Sequence, residues 1–288
     1  MIATPVNRRF SAERIASALA KGLAYAVMSL FALMTLYPIF WLFMNSFKPT
    51  REFQMSQLGF PKSPTLDNFV GAWNLGEFSK LIPNSLIYTA GATIGIVLLS
   101  VLAGFAFAKI KSRATAPIYG SFVIGILLTV QSLMIPLFLE VNLLGIYNTR
   151  IAVLLVYIGS GLPIGIYLST EFIKAIPGSL IESARIDGAS YLRIFRSIIL
   201  PMTVPVATTL AILNITNVWN EFALINILVA KTELKSLPLG MFRFSGSLSS
   251  DYGKQFAALT IGMLPMLVFY VAFRKQITKG VAAGAVKG

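Results

Sequence analysis

The sequence contains no cysteine and no histidine. That removes disulfide scaffolds, thiolate nucleophiles, thiolate or imidazole metal sites and histidine acid–base chemistry together. Charge is scarce as well. Only 12% of the 288 residues are charged, about half the ~25% of an ordinary soluble domain. Eleven acidic residues are left for any carboxylate chemistry, and they fall mainly in the segments between apolar runs. No G-x-x-x-x-G-K-[ST] pattern occurs, so the chain does not bind ATP through a P-loop. No internal repeat and no low-complexity segment is visible.

What is present is apolar. Hydrophobic residues make up 56% of the chain and the mean hydropathy is +0.76. Six apolar stretches, at 23–44, 86–108, 118–139, 151–170, 202–222 and 256–273, each approach the ~20 residues a helix needs to cross a bilayer. The pattern predicts an all-α polytopic membrane protein with six transmembrane helices. Pro38, Pro136, Pro163, Pro205 and Pro265 fall inside five of them, which a membrane bundle tolerates because neighbours re-satisfy the freed backbone groups. A net charge of +13 in so apolar a chain points to an anionic membrane surface rather than to nucleic acid.

The charge distribution sets an orientation. Fifteen of the twenty-four basic residues lie in the two terminal segments and the second and fourth connections, with dense clusters at Lys109–Arg113 and Arg193–Arg196. The positive-inside rule then places both termini in the cytoplasm. The first apolar run is longer than a signal-peptide core and no small-x-small cleavage site follows it closely, so it reads as an uncleaved anchor. Tyr37, Trp41 and Phe43 suit an aromatic belt at its outer end.

The most informative connection is 177–201, between the fourth and fifth runs. Pro177-Gly178 ends one helix. Ser179, with Glu182 three residues later, has the spacing of a capping box for another. Asp187-Gly188 supplies a break, and Ser190 is placed to cap a segment leading to Pro201. The expected product is a short helix on the cytoplasmic face, over 179–190, followed by a bend back into the membrane. Small residues along it let another surface approach closely.

Glu182-x-Ala184-x-x-Asp187-Gly188-Ala189, followed by Ile198-x-Leu200-Pro201, resembles the EAA loop of binding-protein-dependent ATP-driven (ABC) importers. Ser183 stands where that family usually has alanine. Asn45-Ser46-Phe47-Lys48-Pro49, Gly145-Ile146-Tyr147-Asn148-Thr149, Trp219-Asn220-Glu221-Phe222, Leu237-Pro238-Leu239-Gly240 and the ending Ala283-Gly284-Ala285-Val286-Lys287-Gly288 resemble the smaller permease of maltose-type carbohydrate importers. The resemblance covers nearly the whole chain beyond the first twenty residues.

It implies a cytoplasmic segment 1–22, a six-helix permease domain 23–273 and a cytoplasmic tail 274–288, in the bacterial inner membrane. It further implies a second permease subunit, two ATP-binding subunits and an extracytoplasmic solute-binding protein that delivers sugar. The chain itself would hold no cofactor, with ATP and Mg on the partner subunits. Glu182, Ser183, Ala184, Asp187, Gly188 and Ala189 would form the helix that docks on an ATPase, and Gly284, Val286, Lys287 and Gly288 a tail that reaches the ATPase pair.

Other readings stand beside these. Glu182 can serve as a helix cap, Asp187 as a local turn residue, and Arg185, Arg193 and Arg196 as membrane anchors. Asn214, Asn217 and Asn220 share part of one face of the fifth run; polar groups at that depth either bond neighbouring helices or line a wet path. As a set they are assigned to the translocation path. Glu221 either pairs with a loop cation or meets a binding protein. A secondary transporter working alone lacks a well-centred carboxylate here, and a membrane enzyme lacks a catalytic constellation. A glycerol phosphate or polyol permease of the same type is not separable by composition.

Overall fold

A computed structural model describes residues 7–110, 112–241, 244 and 251–285. Among these the regular structure is entirely helical. Four helices are long and apolar enough to cross a membrane unaided: α1 (Asn7–Asn45, apolar over Ala16–Asn45), α4 (Phe78–Lys109), α7 (Arg150–Lys174) and α14 (Tyr252–Ala285, apolar over Tyr252–Gln276). Between α1 and α4 lie two short helices, α2 (Thr50–Met55) and α3 (Asp67–Leu75).

α4 and α7 form the centre of the bundle. They run parallel and in register. Asn84 meets Arg150 at one end, Gly95 faces Ile158 and Gly165 faces Ser100 along the seam, and Lys109 meets Lys174 at the other end. The close approach has a sequence cause. Gly91 and Gly95 on α4, and Gly161 and Gly165 on α7, recur every four residues, so each helix presents a strip without side chains to the other. An added methyl at Gly104 would come within 2.7 Å of Ser169 Cβ.

Because α4 and α7 point the same way, the chain must return along the bundle between them. It does so through α5 (Thr115–Gly125) and α6 (Val130–Leu143), which meet at 109°. At 1.5 Å per residue these helices are about 16 and 21 Å long, so neither alone covers a ~30 Å hydrocarbon core. The expectation of one continuous helix over 118–139 is corrected here. The break falls at 126–129, after Gly125, where Thr129 takes an extended conformation; Pro136 is carried inside α6.

After α7 come α8 (Gly178–Ile186), α9 (Tyr191–Ile194), a π-helical turn at Phe195–Ile199, and α10 (Leu200–Met202). A 69° bend then leads into α11 (Val204–Asn220). Pro201 and Pro205 lack the N–H groups a continuous helix needs, and Thr203 sits buried at the corner. α11 runs antiparallel to α7, with Asn214 beside Gly161 and Glu221 bonded to Tyr157.

The segment after α11 lies between the fifth and sixth apolar runs, where a connecting loop would ordinarily stay at the surface. Instead α12 (Ala223–Leu228) and α13 (Leu237–Met241) re-enter the bundle. Leu224, Ile225, Leu228 and Val229 pack with Tyr88, Ile96, Val153 and Tyr157 in the main apolar cluster. α14 then returns along α1, joined by the edge-to-face pair of Trp41 and Phe256.

Candidate functional site

Two groups of sequence-singled residues are brought together, one at each end of the α4–α7 pair. At the Lys109–Lys174 end, Lys109 Nζ donates to the carbonyls of Ile176, at 2.6 Å, and Lys174, at 3.4 Å. It thereby closes the C-terminal end of α7 and hands the chain to α8. α8 rests on the bundle through Ile181, buried with Phe105, Ile173, Ile176, Ile194 and Ile199; Ala184 and Ala189 pack at the edge of this cluster.

The end of α8 is set by its backbone. Ala189 N–H donates to Ala184 O at 2.9 Å and Gly188 N–H to Arg185 O at 3.0 Å. This is the Schellman pattern, and it requires the residue after the cap to be left-handed. Gly188 has φ +79°. Ser190 then caps α9, accepting from Arg193 N–H at 3.3 Å. Arg185 is tied back by a 3.2 Å bond to Tyr191 Oη. The placement of α8 is thus defined by an apolar anchor at Ile181 and by the two turns that follow it.

One expectation fails here. Ser179 does not cap α8, because the helix already begins at Gly178 with Pro177 in the cap position, and no side chain closes that end. The Ser183 hydroxyl donates to Ser179 O at 2.9 Å instead. Without a capping box, Glu182 loses its local role. Glu182 and Asp187 are both exposed, and among the described residues neither carboxylate has a hydrogen-bond or ion-pair partner. Ile186, beside them, is 86% exposed.

At the Arg150 end, the scattered motifs converge. Asn148, with φ 62°, accepts from the N–H groups of Ala230 and Lys231 at 3.1 and 2.9 Å. Asn84 donates to the carbonyls of Glu233 and Lys235 and accepts from Arg150. Tyr88 donates to Leu234 O, and Ser85 accepts from Leu237 N–H. Glu221 closes the N-terminal end of α12, accepting from Leu224 and Ile225 N–H while holding the Tyr157 hydroxyl at 2.6 Å. Between them these side chains meet eight backbone groups of the re-entrant segment, which would otherwise need partners of their own.

The Asn45–Pro49 motif lies at this same end. Lys48 is fully buried and donates to Ser56 O at 2.9 Å, while Asn68 bridges the carbonyls of Ser46 and Lys48. Burial pushes the Lys48 ammonium below its ordinary value, against the attraction of Glu52. Asp251 bonds Thr50 at 2.6 Å and pairs with Lys254 at 2.7 Å. Burial pushes its carboxyl up, but the bonds from Lys254 and Thr50 together hold it below the usual range.

The three asparagines of α11 lie in different surroundings. Asn214 is buried, donating to Leu210 O at 2.8 Å, whereas Asn217 and Asn220 are exposed and Asn220 bonds back to Thr216 O. Gly284 lies near the end of α14; Val286, Lys287 and Gly288 fall outside the described residues.

The profile of the family described as binding-protein-dependent transport system inner membrane component matches residues 96–282. The chain belongs to this family. The permease is 34% identical, over 89% of its length and 93% of the relative's, to a probable starch degradation products transport system permease of Thermoanaerobacterium thermosulfurigenes. It is 29% identical to a diacetylchitobiose uptake system permease of Streptomyces coelicolor, over 98% of this chain and 90% of that one. Its fold matches a chain of a bacterial ABC transporter that imports the acidic polysaccharide alginate, with a TM-score of 0.78, 19% identity, and coverage of 96% and 99%. The matched region of the permease contains α8, the re-entrant segment and most of the α4–α7 seam.

The small-residue seam and the re-entrant segment were both missed in the sequence. The four-residue spacing of glycines on two apolar runs was a readable signal for the first. For the second, the apolar run after Phe222 was readable, but its burial depends on Asn84, Asn148 and Glu221, which are distant in sequence.

Proposed function

We propose that this permease is the membrane subunit of an ATP-driven sugar importer, crossing the membrane six times with α8 in the cytoplasm. α5–α6 and α9–α11 each count as one bent crossing. The concentration of basic residues at the α8 end supports that orientation. A second permease completes the translocation path, a solute-binding protein delivers sugar at the Arg150 end, and two separate ATPase subunits hydrolyse ATP. The carbohydrate named in several relatives supports the substrate class.

One observation carries the coupling role: α8 is anchored to the bundle through Ile181 and ends in a defined turn at Gly188, yet offers Glu182, Asp187 and Ile186 outward with no partner among the described residues. A helix fixed in this way turns the closing of two ATPases into a movement of the bundle, because packed interfaces shift between discrete arrangements rather than yield. Glu182 meets a cation in the ATPase cleft, and Ile186 supplies apolar contact beside it.

The test is sugar-stimulated ATP hydrolysis by the reconstituted importer, with subunit retention measured in parallel. Glu182→Gln removes no contact within this chain, so any loss reports on the partner. Truncating one member of a buried charge pair weakens association by about 2–5 kcal/mol, and retention should fall by more than tenfold while the permease still inserts. Stimulation and retention equal to wild type contradict the coupling role. A panel with glycerol phosphate and polyols beside sugars tests the substrate class independently.

A further inference from the structure

Two cavities meet at Ile110, at the α8 end of α4. The first, about 480 Å³, has almost purely carbon walls, among them Leu102, Ala106, Phe122, Ile166 and Phe195. The second, about 630 Å³, is mixed: Ser112, Arg113, Thr115, Tyr119 and Lys174 bring polar groups to a wall that Phe107, Ala108 and Ile110 keep largely apolar. Phe107 links the two, with ring contacts to Tyr119 in the second cavity and Phe122 in the first.

The charges in the second cavity do not cancel. Glu171 accepts from Lys174 Nζ at 2.7 Å and from Tyr119 Oη at 3.0 Å, so it offsets Lys174. Arg113 is exposed and has no partner among the described residues. One uncompensated guanidinium, whose planar fork matches phosphate oxygens, therefore stands beside a hydroxyl-lined cavity. The apolar cavity adjoins it at Ile110. A soluble anion uses only the first of these, and an alkyl chain only the second.

We propose that the paired cavities bind one anionic phospholipid, with its phosphate at Arg113 and an acyl chain along Ala106 and Phe122. The ligand needs a net negative headgroup, because a zwitterionic one brings its own cation to a site where the Arg113 charge is already uncompensated. The site requires only that the chain is embedded in a bilayer, so it stands apart from the coupling role of α8.

The experiment is native mass spectrometry of the purified full-length permease, in whatever assembly it is extracted, titrated separately with phosphatidylglycerol, phosphatidylcholine and inorganic phosphate. One phosphatidylglycerol should be retained per chain, and phosphatidylcholine several-fold less. Arg113→Gln should lower retention about fivefold, the effect of one basic residue near a membrane surface. Ala106→Phe fills the apolar cavity and leaves the charges intact, and it should also lose the lipid. Arg51→Gln, at the other end of the molecule, should retain it. Equal retention of phosphatidylcholine, wild-type retention in both cavity variants, or displacement of the lipid by millimolar inorganic phosphate overturns the proposal.

Discussion

Tyr157 donates its hydroxyl to Glu221 at 2.6 Å, across sixty-four positions of sequence. The same carboxylate accepts from the N–H groups of Leu224 and Ile225. One side chain thus ties the middle helix of the bundle to the start of the re-entrant segment. Glu221→Gln turns one of the two acceptor oxygens into a donor, which faces at least one of these hydrogens whichever way the amide is turned. It should destabilise the permease by about 1–3 kcal/mol, and Tyr157→Phe by about 1 kcal/mol. Thermal unfolding of the detergent-purified chain should show the double variant to be less than additive. Strict additivity means the two residues act separately.

Gly188 carries the geometry of the α8 end, at φ +79°. A side chain in the left-handed region costs about 1–2 kcal/mol, so Gly188→Ala should loosen the Schellman turn without filling any occupied space, since nothing lies within 4 Å of an added Cβ. Hydrogen exchange at Gly188 and Ala189 should speed up roughly 5- to 30-fold. Unchanged exchange means that packing of Ile181, not the turn, fixes α8.

The α4–α7 seam distinguishes two glycines on one helix. A larger residue at Gly165 collides with Ser100, whereas Gly159 faces open space. Gly165→Val should cost about 1–3 kcal/mol through overpacking, and Gly159→Ala should be nearly silent in the same thermal measurement. Equal effects would mean that close approach at Gly165 does not set the cost.

The helical class, the short helix before Gly188 and the cap at Ser190 were legible because each rests on neighbours in sequence: an apolar run, a Gly after Asp, a Ser two residues before the next Leu. The capping box at Ser179–Glu182 had the right spacing and still did not form, because Pro177, with its preset φ, takes the cap position and starts the helix two residues early. The break in the third apolar run was invisible for the opposite reason. Residues 126–129 are as apolar as their surroundings, and hydropathy carries no signal for a 109° turn. Glu221 was read as pairing with a loop cation or meeting a binding protein, since its three donors come from Tyr157 and from a segment whose burial the sequence alone did not show.

The proposed topology has a direct check. Reporter fusions after Arg113 and after Ser190 should read cytoplasmic, and a fusion after Pro64 external. An external reading at Ser190 removes α8 from the side where ATP is hydrolysed, and the coupling role with it.

The absence of cysteine allows the central claim to be tested by a single introduced thiol. With Ile186→Cys as the only cysteine in the permease, a short thiol-to-amine cross-linker should join it to the ATPase subunit in the assembled importer. The yield should change on adding ATP, and Leu58→Cys, on the opposite end of the molecule, should give no such product. An intact assembly in which Ile186→Cys never cross-links to the ATPase, or does so no more than Leu58→Cys, contradicts the assignment of α8 as the coupling helix.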